Sequence, residues 1–62
     1  MYKNMLTTKE VTLLSDLLTF EESACKKARL YSKTLSDPKT AEVFSRIADG
    51  HEKRFKALFE LL

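Results

Sequence analysis

The sequence predicts an all-α fold. Two antiparallel helices form a hairpin, and a second copy of the chain completes a four-helix bundle. Three observations predict this. Apolar residues recur at helical spacing through most of the 62 residues. One glycine and one proline leave the chain few places to turn. The apolar stripe on each helix is also too wide for a single neighbour to cover.

The first helix announces itself in "LTTKEV". Thr7 and Glu10 have the spacing of a capping box, and Leu6 is placed to staple onto Val11. The turn follows from "LSDPKT". Asp37 is a good N-cap, Pro38 suits the first helical position, and a residue before proline is pushed out of helical geometry. The expected elements are a helix at about 8–35, a turn at about 36–37 and a helix at about 38–61. Residues 1–62 are read as one domain. Each helix is roughly 35–40 Å long at ~1.5 Å per residue. The short link makes them antiparallel neighbours. Tyr2 and the rest of the first six residues read as a loose arm.

At 100° per residue, the apolar face of the first helix holds Val11, Leu14, Leu17, Leu18, Ala24, Cys25, Ala28, Tyr31 and Leu35. Leu13 and Phe20 widen one edge of it. The second face holds Ala41, Phe44, Ile47, Ala48, Phe55, Leu58, Phe59 and Leu62, with Val43 and Leu61 at an edge. Lys26, Lys33, Arg46, Asp49, Lys53, Lys56 and Glu60 lie opposite and read as a solvated surface. A chain this short buries little apolar area on its own. Cys25 is the only cysteine, so no disulfide within the chain can help. Oligomerisation or a buried metal site remains, and a homodimer is the simplest closed solution.

Three polar residues fall on these apolar faces. Glu21 lies in the row Leu14, Glu21, Ala28, Leu35, near the middle of its stripe. His51, the only histidine, lies in the row Phe44, His51, Leu58. Arg54 stands three residues on, at the margin between Val43 and Leu61. Glu21 and His51 are equally far from a turn near residue 36, so they are expected at one height. A buried carboxylate must be paired, protonated or metal-bound. Two readings follow. Glu21, His51 and Arg54 form a polar network inside the core, or Glu21 and His51 from two chains hold a divalent iron or zinc ion. The cation of Arg54 weighs against a metal. Gly50 sits inside the second helix beside Arg54, where glycine costs roughly 1 kcal/mol relative to alanine. Close approach of the arginine stem or of another backbone is the expected reason.

Composition excludes several classes. Net charge is +2, too small to point to nucleic acid or an anionic membrane. Lys26, Lys27 and Arg29 in "CKKAR" read as solvated side chains, since a nucleic-acid face needs more such residues in line. No apolar run is long enough to span a bilayer. "MYKNMLTTKE" has no apolar core of leader length. A single unpaired cysteine fits a reducing cytoplasm. No nucleophile, base and orienting group stand together, and hydroxyls such as Ser45 are expected on the outer face, so an enzyme is not the first reading. Cys25 reads as a small core residue and Tyr31 as core with its hydroxyl at an edge.

"LLSDLLTFEES", followed by "YSKTLSDPKTAEVFSRIADGHEKRFKALFELL", resembles the spore coat protein F (Coat F) family. More widely it is similar to ferritin-like and rubrerythrin-like hairpins. The similar features are the "SDLL…E" opening, a tyrosine before the turn, "DP" at the second helix and "IADGHEKR", together covering about residues 13–62. The resemblance implies a ferritin-like four-helix bundle built by dimerisation of half-length chains. It implies a structural, spore-associated role with spore or coat proteins as partners. Ferritin-like bundles commonly hold two metal ions through a glutamate of the first helix and a Glu-x-x-His of the second. Glu21 matches that first ligand, whereas His51 and Arg54 stand where the Glu and His of the second motif would be.

Overall fold

A computed structural model describes residues 6–62. The arm expected at the N-terminus lies, Leu6 apart, outside the described residues. Helix α1 spans Thr8–Thr34 and α2 spans Pro38–Phe59. No strand occurs among the described residues.

Both helix starts are built as their sequences direct. The Thr7 hydroxyl accepts from the Glu10 amide at 3.1 Å. The Glu10 carboxylate accepts in return from the Thr7 amide at 2.9 Å, which closes the capping box. Helix α1 stops at Leu35, whose backbone is extended, as expected just ahead of Asp37 and Pro38. The Asp37 carboxylate then caps α2 by accepting from the Thr40 amide at 2.9 Å. At the far end α2 stops two residues before the expected Leu61, because the last residues tighten into turns in which the Leu61 and Leu62 amides reach back three residues to Leu58 and Phe59.

The helices pack along one seam. On α1 it runs through Leu14, Leu18, Glu21, Cys25, Ala28 and Ser32, all buried or half-buried. On α2 it runs through Ala41, Phe44, Ala48, His51, Phe55 and Leu58. Both rows alternate steps of three and four residues, the spacing of a coiled-coil seam. Small residues let the helices approach at mid-length. Ala48 is fully covered, and the Cys25 thiol donates to its carbonyl across the seam at 3.4 Å. Nearer the turn, Tyr31 and Phe44 meet edge to face with ring centres 5.7 Å apart.

The broad stripes of the sequence therefore split in two. Residues one position before each seam residue form a second pair of rows. These are Leu13, Leu17, Phe20, Ala24, Lys27 and Tyr31 on α1, and Thr40, Val43, Ile47, Gly50, Arg54 and Ala57 on α2, with Leu61 continuing the second row. In antiparallel helices facing one another, the same offset on each carries both rows to one broad side of the hairpin. Lys27, Thr40 and Arg54 apart, that side is apolar and open to solvent: Leu13 is 53% exposed, Phe20 60% and Val43 48%. Rows one position after the seam are mostly polar, with Ser15, Thr19, Glu22, Lys26, Arg29 and Lys33 on α1. The seven residues expected to be solvated are all exposed. Ser45, expected on the outer face, is instead half-buried, since it stands one position past Phe44 at the rim of the seam.

Candidate functional site

Glu21 and Ala48 are both buried at mid-seam, and they differ in kind. The Glu21 side chain is 10% exposed, and both its oxygens are engaged. Its Oε1 lies 2.5 Å from His51 Nδ1, and its Oε2 accepts from Arg54 Nε at 3.2 Å. Arg54 Nη2 also stands 2.9 Å from the same His51 nitrogen. One ring nitrogen cannot donate to Glu21 and accept from Arg54 together. An ionised carboxylate only accepts, so the proton belongs on Nδ1 and the His51 hydrogen bond runs to Glu21.

Helical geometry places the three groups. His51 and Arg54 are one turn apart on α2 and reach Glu21 from the same direction. Glu21 and His51 do stand at one height, as their equal distance from the turn predicts. The Glu21 carboxyl is held below its ordinary range, first by the hydrogen bond from His51 and then by that from Arg54, against the opposing effect of partial burial. Among the described residues no buried side-chain nitrogen or oxygen lacks a partner. Phe20 sets its ring edge to face on His51, with centres 6.3 Å apart, and closes the cluster toward the apolar side. Arg54 lies over this rim with its side chain 56% exposed.

The sequence-predicted trio is thus brought together as a polar network. The donors suit a divalent ion poorly within one chain. They amount to one carboxylate and one imidazole, and a guanidinium already occupies the carboxylate. No group of three or more His, Cys, Asp or Glu is gathered elsewhere among the described residues.

A second cluster was not expected from sequence. Arg29 Nη1 donates to Asp49 at 3.1 Å and Nη2 to Glu52 at 3.2 Å, on the polar side of the hairpin. Reading "CKKAR" as a run of solvated cations hid this. Asp49 and Glu52 are one turn apart, facing Arg29 across the seam, and that pattern was the available signal. Lys26 does behave as a surface cation, 3.5 Å from Glu22 on its own helix. Cys25 and Tyr31 take the positions expected of them: Cys25 is half-buried in the seam, and Tyr31 packs on Phe44 while 47% exposed.

Gly50 is not enforced by packing among the described residues. Among the described residues, a Cβ added there meets only the Arg54 guanidinium, at 3.5 Å, an ordinary contact with a flexible group. Instead Gly50 floors an open hollow with Val43, Arg46, Ile47 and Arg54.

Comparison with protein-family models, with curated proteins and with solved structures returns no match. The likeness to Coat F and ferritin-like chains accordingly rests on the quoted motifs. No helix among the described residues is long and apolar enough to cross a membrane.

Proposed function

We propose that this chain is a non-enzymatic structural and interaction protein. Two hairpins join through their apolar sides and complete a ferritin-like four-helix bundle. The network of Glu21, His51 and Arg54 sets the pairing of helices within each hairpin, and no substrate chemistry is assigned to it. The resemblance to Coat F makes the cytoplasm, and in particular the spore, the proposed setting, with spore or coat proteins as further partners.

One observation carries the reading: the chain is a single layer with an uncovered apolar side. A stable domain needs a second layer over such a side. Among the described residues no large side chain is fully buried. Along that side Leu13, Leu17, Phe20 and Val43 each stand about half exposed.

Sedimentation equilibrium at low micromolar concentration tests this. The expected mass is twice that of the 7.2 kDa chain, with a thermal midpoint that rises with concentration. A well-folded monomer overturns the proposal. Metal analysis of protein purified without a nickel column tests the alternative, in which iron or zinc is held by Glu21 and His51 of both copies. Stoichiometric metal favours that alternative over the network.

A further inference from the structure

Two symmetric arrangements set the apolar side of one hairpin on that of another. With the two-fold axis along the helices, α1 of one copy covers α2 of the other and every height meets its own height. With the axis across the helices, α1 lies antiparallel on α1 and α2 antiparallel on α2. The relief of the apolar side discriminates between them. Ala24 and Gly50 stand at one height and form a waist, with the hollow over Gly50 beside it. Phe20 projects one turn away, 60% exposed. An axis along the helices sets waist on waist, so Ala24 faces Gly50 twice across an empty centre. It also sets Leu13 against Leu61. Such a void forfeits packing contacts that nothing replaces.

We infer that the two-fold axis crosses the helices at the height of Glu22 and Glu52, so that Phe20 of each copy seats on Ala24 of the other. The inference rests on the homodimer reading. A single axis then gives a matched register on both helices. On α1 it pairs Phe20 with Ala24, Leu13 with Tyr31, and Leu17 with Lys27, whose aliphatic stem covers the leucine while its ammonium reaches solvent. On α2 it pairs Leu61 with Val43 and Ala57 with Ile47. Each midpoint falls at position 22 or at position 52. Those two positions share one height in the hairpin, because Glu21 touches both His51 and Arg54. Large residues thus meet small ones at the centre, and apolar residues meet each other at both ends.

The same register gives Gly50 a purpose that the isolated chain lacks. It brings Arg54 of one copy over Gly50 of the other. A residue without a side chain is the one that admits a guanidinium, which stays paired with its own Glu21.

The experiment is cross-linking between separately purified single-cysteine chains in a Cys25→Ala background. Leu13→Cys is mixed with Tyr31→Cys and, in parallel, with Leu61→Cys, and disulfides are formed with a mild oxidant. All three positions are exposed, so folding is preserved, as circular dichroism verifies. The first mixture is expected to yield covalent dimer and the second none. A 13–61 cross-link, or a dimer that forms neither, overturns the register while leaving the homodimer standing. A monomer in sedimentation overturns the homodimer itself. An exchange of side chains gives an independent reading. Ala24→Phe alone is expected to weaken association at least tenfold, and Phe20→Ala with Ala24→Phe to restore it. Equal weakening by the single and double variants overturns the pairing.

Discussion

Glu21 and His51, thirty residues apart in sequence, share a hydrogen bond of 2.5 Å at the middle of the seam. Each supplies the polar partner that the other needs in an otherwise apolar row. Replacing His51 by leucine removes one of two partners of the enclosed carboxylate, whereas Arg54→Leu removes a side chain that is half in solvent. His51→Leu is therefore expected to lower the thermal midpoint more than Arg54→Leu. Glu21→Leu combined with His51→Leu should recover part of the loss, because two apolar groups then face each other. Thermal melts of the three variants check the order. Equal, additive losses mean that the residues act independently.

Acidification probes the same carboxylate. The folded Glu21 pKa is lowered from 4.5, and that of Asp37 is lowered from 3.8 by the hydrogen bonds from Thr40. A group whose folded pKa is depressed contributes stability above its unfolded pKa and loses it as pH falls through the folded value. Stability is expected to be level above about pH 5 and to fall steadily below it, since both unfolded values lie beneath that pH. Glu21→Gln should flatten the Glu21 share of that slope, and Asp37→Asn the remainder. Urea midpoints measured between pH 2.5 and 6 check this. An unchanged slope in both variants refutes the assignment.

Ala48 sets how closely the helices approach. It is fully covered and faces Cys25 across the seam. Ala48→Leu inserts three carbons where none fit, and overpacking of this kind costs about 1–3 kcal/mol. Urea denaturation checks the value. A neutral or stabilising outcome means that the seam is looser than described.

Gly50→Ala should fall short of the roughly 1 kcal/mol gained when an alanine replaces a glycine in an exposed helix. Nothing among the described residues opposes the added methyl. Any shortfall therefore reports contact from outside the chain, and a second copy's Arg54 is the expected source. Denaturant unfolding at a concentration where the dimer is intact checks this. A full gain there means that nothing packs on Gly50.

The fold was legible because its signals are local. Thr7 with Glu10, and Asp37 with Pro38, mark helix starts through contacts spanning one turn of chain. Glu21 and His51 were legible for a related reason: a polar residue in an apolar row, placed symmetrically about a turn, has few places to go. The division of each stripe was harder to see. Leu14 and Leu13 are equally apolar, and only the partner helix decides which becomes core. Arg29 was missed because a cation among cations looks solvated until the acids across the seam are in place. Gly50 resisted explanation because its neighbours within the chain leave it free.

The ion pairs of Arg29 with Asp49 and Glu52 lie on the side of the hairpin opposite the apolar rows. This asymmetry bears on how far assembly can go. A hairpin sticky on both sides would stack copy on copy into an open-ended ribbon. Among the described residues the apolar rows lie on one side, and the other, Phe59 apart, presents mostly polar and charged groups that prefer water. If the proposed homodimer forms, growth is expected to end after a single pairing event, with the chain's concentration setting how many pairs form and not their size.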